Sequence, residues 1–169
     1  MARQLGIHTP LFAGCASLVR DEVAALPTGP QSPFAGLPGV HYARLTVAEG
    51  VANRDLLVCS AVTDAAQEEF VVALLSKAGD LPERLWSNCP GWPGQADLPR
   101  AAAWLGDHVV EPTLAFFTWD APLDRVHAGL ALRRKLAAFA PRVQDLVGHD
   151  PGALQRAFMH EFGADELGR

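Results

Sequence analysis

Val40-His41-Tyr42-Ala43-Arg44-Leu45-Thr46-Val47 and Leu56-Leu57-Val58-Cys59-Ser60-Ala61-Val62 decide how this chain is read. In the first stretch Ala43, Leu45 and Val47 alternate with Tyr42, Arg44 and Thr46. That period of two sets successive side chains on opposite faces of a strand. The second stretch, from about Asp55, is a strand apolar on both faces. Glu49 to Arg54 between them is polar and turn-like, so the pair is predicted to form a hairpin with a loop longer than the tightest turns.

Outward from the hairpin, Asp64 is predicted to cap a helix, with Gln67 at the capping-box position. Phe70, Val71, Leu74, Leu75 and Ala78 form its buried stripe, and Gly79 suits its end. Arg84 to Cys89 is predicted as a short strand, Pro90-Gly91-Trp92-Pro93-Gly94 as a loop, and Asp97 as the cap of a short helix. Thr113 to Trp119, β-branched and aromatic, is predicted as the last strand. A long helix follows from about Pro122 to Phe139, ended by Pro141, and Asp150-Pro151 opens a final helix closed by Gly163. Upstream, residues 15–26 read as a helix with Leu18, Val19, Val23 and Leu26 on one stripe. Ile7 to Phe12 could make an edge strand, and Pro27 to Gly39 is a Pro/Gly-rich connection.

This order predicts an α+β fold in a single domain, 1–169. If residues 5–12 supply a first strand, the leading elements make a βαββαβ ferredoxin-like unit over about 5–119. A helical extension covers about 122–163. Helices cover only one face of such a sheet, and several strands are apolar on both. A second copy of the chain is the simplest cover, which predicts a homodimer of the dimeric α+β barrel type with a cavity at the sheets.

The chain has 169 residues, 49% of them hydrophobic, with 14 basic and 19 acidic side chains and a net charge of −5. That composition excludes a disordered or low-complexity protein. The acidic balance argues against a nucleic-acid partner, because phosphate-backbone binding needs a concentrated basic face. Arg133-Arg134-Lys135 is read as a solvated helix face. No apolar run is long enough to predict a membrane partner. Three cysteines, Cys15, Cys59 and Cys89, are too few and too odd for a disulfide framework and predict a cytoplasmic protein. Phe12-Ala13-Gly14-Cys15 has the look of a lipoprotein cleavage site, but no apolar segment precedes it.

Pro38-Gly39-Val40-His41-Tyr42-Ala43-Arg44-Leu45, Leu56-Leu57-Val58-Cys59-Ser60 and Leu85-Trp86-Ser87-Asn88-Cys89-Pro90-Gly91-Trp92-Pro93-Gly94 resemble an uncharacterised bacterial family. Its members carry a His-Phe-Ala-Arg strand, a Ser-Asn-Phe-Asp-Gly turn and a Ser-His-Cys-x-Gly-Tyr-Pro loop. Trp104 to Phe117 and Leu130 to Leu136 resemble its later segments, so the likeness spans roughly 33–139. It implies the ferredoxin-like, dimeric α+β barrel superfamily, which holds monooxygenases, cyclases, dehydratases and haem enzymes. Two positions depart from the family: its loop His is Asn88 here, and its Asn-Phe-Asp-Gly is Val62-Thr63-Asp64-Ala65.

His41 and Arg44 are the candidate catalytic residues. A histidine is suited to general acid/base work near neutral pH. An arginine on a sheet face can orient a carboxylate or enolate. By strict alternation the two point to opposite faces unless a bulge intervenes. The alternatives are a strand-end histidine satisfied by a carbonyl and an interface salt bridge. Tyr42, Trp86, Asn88, Cys89, Trp92 and Phe117 are the candidate ligand-binding residues. Large aromatics near strand ends wall apolar pockets, although core packing explains Trp104 and Trp119 as well.

Cys89-Pro90 could present a thiolate to haem iron, and a simple turn explains it equally. Cys59, inside an apolar run, reads as a buried, inert thiol. Asp107, His108 and Glu111 read as solvated, and His127 and His160 are lone helix histidines. No zinc spacing, phosphate loop or nucleophile elbow is present, so no cofactor is identified, while haem stays open. The sequence thus leaves three readings. They are an enzyme acting on a small, largely apolar organic molecule, a haem-binding redox protein (oxygenase- or peroxidase-like), and a non-catalytic interaction protein.

Overall fold

The alternation in the hairpin is used in full. β2 (Val40–Ala48) and β3 (Leu56–Thr63) pair antiparallel from Tyr42 opposite Val62 to Ala48 opposite Leu56. β1 (Arg3–Pro10) lies on the other side of β3, with Leu5 opposite Ala61, Ile7 opposite Cys59 and Thr9 opposite Leu57. β4 (Val109–Val110) completes the far edge against Gly6 and Ile7. The His8 N–H adds one more bond to the His108 carbonyl at 2.9 Å. The protein is thus α+β, with an open antiparallel sheet in the order β2-β3-β1-β4. This computed structural model describes residues 2–50, 54–115, 121–146 and 150–166. They divide into two compact units, Met1–Leu123 and Asp124–Arg169.

In the first unit, four helices close one face of the sheet. They are α1 (Ala16–Ala24), α2 (Gln67–Lys77), α3 (Leu81–Trp86) and α4 (Leu98–Asp107). Ile7, Leu57, Cys59 and Ala61 from the sheet meet Val19, Phe70, Leu74, Leu85 and Leu105 in a single core. Full burial of such aliphatic and aromatic side chains contributes roughly 1.5–3 kcal/mol each. The predicted stripe of α2 is buried at every position, and Gly79 has the positive φ of 65° that ends a helix. The predicted stripe of α1 holds only in part: Val19 is buried, Val23 and Leu26 are half-buried, and Leu18 is exposed. The Asp97 side chain caps α4 through the Arg100 N–H, as its position predicts.

Four expectations are corrected. The first strand runs over Arg3–Pro10, not Ile7 to Phe12, and it lies inside the sheet between β3 and β4 rather than at an edge. Residues 84–86 are helical: Pro82 starts a helix, and Leu81 and Leu85, four apart, share its buried side. The helix after Asp64 begins later, at Gln67, and Glu69, not Gln67, accepts the Ala66 N–H at 3.1 Å. Residues 113–115 are not in the sheet, and 116–120, with the candidate Phe117, lie outside the described residues. The β-branched pair Val109-Val110, directly after α4, takes the edge position instead.

The second unit contains α5 (Leu123–Arg142), from Asp124 onward, and α6 (Pro151–Glu166). α5 runs one residue past Pro141, and α6 departs from helical geometry at Gly163. Phe139, Val143 and Phe162 are buried together, with Phe158 stacked 4.7 Å from Phe162 between ring centres.

Candidate functional site

A register shift between Val40 and Tyr42 sets His41 in a bulge, where an extra residue re-aims a side chain. Val40 stands opposite Thr63, so the bulge faces the point where β3 leaves the sheet. Two local bonds shape that exit. Thr63 Oγ1 accepts the Ala65 N–H at 3.1 Å, and the Asp64 N–H donates to the Gly39 carbonyl at 2.9 Å. Gly39 takes a φ of 71°, and a Cβ there would stand 3.3 Å from Asp64 Cβ. Glycine therefore allows the two turns to approach. The Asp64 carboxylate is thereby brought beside the imidazole, with His41 Nε2 3.0 Å from Asp64 Oδ1.

The second carboxylate oxygen, Oδ2, accepts the Leu123 N–H at 2.8 Å. Burial pushes the Asp64 carboxyl upward. The Leu123 bond and the charge interaction with the nearby His41 outweigh it and hold the group below its ordinary value. The His41 and Asp64 side chains are about one-fifth exposed, at 18% and 22%. The facing atoms themselves are sealed from solvent, and neither completes a hydrogen bond of good geometry. The contact is therefore chiefly electrostatic. A carboxylate beside an imidazole fixes its orientation, the arrangement of a general acid/base pair.

The bulge leaves the rest of β2 in simple alternation. Tyr42, Arg44 and Thr46 all lie on the face of the sheet opposite the four helices, and all three are exposed. Tyr42 and Arg44 thus share a face with each other and lie close to His41 in sequence.

The remaining candidates sit on the helix-covered side. Trp86 is fully buried. Trp92 lies 6.2 Å from it and 5.3 Å from Trp104, and Trp104 lies 4.2 Å from His108, between ring centres. The Trp92 indole N–H donates to Glu83 at 3.1 Å. Asn88 donates its side-chain amide to the Arg84 and Leu85 carbonyls at 2.9 and 3.2 Å, closing the end of α3.

The Cys89 thiol donates to Thr9 Oγ1 at 3.4 Å, and the Thr9 hydroxyl donates to the Leu57 carbonyl at 3.3 Å. Burial pushes the Cys89 thiol up, against the opposing Thr9 bond, with Cys15 adding to the rise. Burial pushes Cys59 up to about 12. These are the surroundings of inert thiols, which sets against Cys89 as a thiolate ligand to haem.

Two hollows mark the surface of this unit. One, of about 220 Å³, is lined by Val23, Leu26, Phe34, Ala43 and Leu45, among others. The other, of about 320 Å³, lies by Arg3, Gln67 and Glu111. Neither includes a predicted site residue. Among the described residues no group of three or more His, Cys, Asp or Glu is placed to hold a metal ion. No helix among them is long and apolar enough to cross a membrane. Comparison of the chain with protein-family models, with curated proteins and with solved structures found no match.

Asp64 is the candidate site residue that sequence reasoning assigns elsewhere. Its position directly after an apolar strand is equally that of a helix cap. Only the register that sets Val40 opposite Thr63 brings it to His41.

Proposed function

We propose that the protein is an enzyme on a ferredoxin-like scaffold that binds a small, largely apolar organic molecule and acts on it by positioning and acid/base chemistry. The observation that carries this reading is the His41–Asp64 couple, with its carboxylate anchored by the Leu123 N–H. His41 is the proton-transfer group and Asp64 positions it. Arg44, on the exposed face of the same strand, orients an anionic group of the substrate.

The strand order β2-β3-β1-β4, antiparallel throughout, supports the ferredoxin-like assignment and agrees with the family resemblance of residues 33–139. In the proposed assembly a second copy covers the open sheet face and walls the site. Leu56, half-buried on that face of β3, and the exposed Tyr42 of β2 supply apolar area for the contact, which leaves Val58 and Val62 to the cavity.

Proton exchange in D2O tests the chemistry. The protein is incubated with a panel of small keto acids and aldehydes, and deuterium uptake at the carbon beside the carbonyl is followed by mass spectrometry. His41 takes the proton and returns a deuteron, so nothing is oxidised or reduced. The expected result is catalysed exchange of at least one panel member, lost in His41→Gln and slowed in Asp64→Asn. No exchange across the panel, or equal exchange in His41→Gln, contradicts the proposal.

A further inference from the structure

The open face of the sheet carries one lateral row that is polar from strand to strand. Arg44 on β2 stands opposite Ser60 on β3, and Ser60 stands opposite Gly6 on β1. Paired positions on neighbouring strands share a face, with Cβ atoms about 4.5–5.5 Å apart. Gly6 contributes no side chain, and the ring of His8, two residues along the same face, fills its place. His8 Nε2 lies 2.9 Å from the point a Gly6 Cβ would occupy. Gly6 is accordingly buried although it belongs to the open face. A serine hydroxyl is thus flanked by a guanidinium on one side and an imidazole on the other.

Among the described residues, no hydrogen-bond or ion-pair partner engages the side chains of Arg44, Ser60 or His8. Arg84 on the helical side, by contrast, is paired with Glu22 and Asp80. The open-face positions of the three long strands carry no aspartate or glutamate: they are Gln4, Gly6, His8 and Pro10, Tyr42, Arg44, Thr46 and Ala48, and Leu56, Val58, Ser60 and Val62. Cationic and donor groups converge on these strand positions with no carboxylate among them, in a chain of net charge −5. Val58 and Val62 flank Ser60 along β3, so the polar row has an apolar margin on both sides.

We propose that Arg44, Ser60 and His8 form a receptor for the anionic group of a small organic anion, a carboxylate or a phosphate ester, whose apolar body lies over Val58 and Val62. Arginine's planar fork matches either oxyanion through two N–H donors, and Ser60 adds a third. The receptor deepens the proposed enzyme reading by naming its substrate class. It also rests on geometry that can be measured without turnover.

Calorimetric titration of the intact chain with benzoate, phenyl phosphate and neutral benzyl alcohol tests it. The expected result is saturable binding of at least one anion and none of the alcohol. Which anion binds distinguishes carboxylate from phosphate chemistry. Arg44→Ala weakens that binding roughly tenfold or more, and Arg44→Lys recovers part of it. Gly6→Ala keeps all three polar groups but drives a methyl into the space of the His8 ring, and it weakens binding severalfold. No saturable binding of either anion, or wild-type affinity in both Arg44→Ala and Gly6→Ala, overturns the receptor. Anion binding without proton exchange leaves the receptor standing and removes the His41 chemistry. Exchange without anion binding does the reverse.

Discussion

The two faces of one sheet are built from alternate residues of the same strands, and they differ in how fully those residues are used. On β3, Leu57, Cys59, Ala61 and Thr63 face the helices and are buried, while Leu56, Val58, Ser60 and Val62 face away and are half-buried. On β2, Ala43, Leu45 and Val47 pack against the core, while Tyr42, Arg44 and Thr46 are exposed. Polar groups on the helix side are largely spent on one another. The Cys89 thiol bonds Thr9, Thr9 bonds Leu57, and Glu83 accepts from Trp92 and Gln95. On the other face no hydrogen-bond or ion-pair partner among the described residues engages the side chains of Arg44, Ser60 or His8. A side chain already satisfied by its neighbours has little left to offer a ligand. The difference between the faces is therefore one of spent and unspent polar groups: the helix side holds the fold, and the other side is where the proposed receptor lies.

The largest effect that could break this contrast is on the closed face. Phe70→Ala leaves a cavity in a core that is fully packed and should cost about 3–5 kcal/mol, measured by urea unfolding. A loss under about 1 kcal/mol would mean that the helix side is not the stabilising one. Next is the proposed self-association. Leu56→Asp puts a charge on the apolar part of the open face left to that contact and should convert a dimer to a monomer in sedimentation, with the far-ultraviolet dichroism unchanged. A wild-type protein that sediments as a monomer removes that part of the account.

The Asp64 anchor gives a smaller, pH-dependent effect. Its folded carboxyl is held below the ordinary value near 3.9, so the unfolded chain binds the proton more readily. The resulting stability is present above the ordinary carboxylate range and is lost as pH falls through the lower folded value. Asp64→Asn should therefore flatten the acid limb of the stability curve below about pH 4 and leave its shape near neutrality unchanged. The smallest expected effect is that of Arg44→Ala on folding, within about 0.5 kcal/mol, because the side chain is exposed and has no partner among the described residues. A large loss there would show that Arg44 serves the fold.

The hairpin was legible because its first strand has one buried face, so that Ala43, Leu45 and Val47 advertise the period of two. The α2 stripe was legible for the same reason at the helical period. Leu81–Trp86 was not, because Leu85-Trp86-Ser87-Asn88-Cys89 taken alone reads as a strand. The deciding signal, Pro82 in the first turn with Leu81 and Leu85 four apart, begins upstream. The chemistry was legible only in part. His41 and Arg44 are residue types that invite a role, and strict alternation already sets them on opposite faces unless a bulge intervenes. Asp64, Ser60 and His8 were not found, because their relation to those two residues is one of register. Val40 opposite Thr63, Ser60 opposite both Arg44 and Gly6, and a histidine ring laid over a glycine are facts of pairing between strands. Local sequence carries no signal for them.

If ligand chemistry belongs to the open face, its residues report a bound anion directly. The most direct test is a nuclear magnetic resonance titration of the intact protein with the tighter-binding of benzoate and phenyl phosphate. The account predicts saturable shifts at the His8 ring, the Ser60 amide and the Val58 and Val62 methyls, with Leu57, Cys59 and the Trp86–Trp92–Trp104 cluster unmoved. Shifts centred on that tryptophan cluster, with His8, Val58 and Val62 silent, would contradict it.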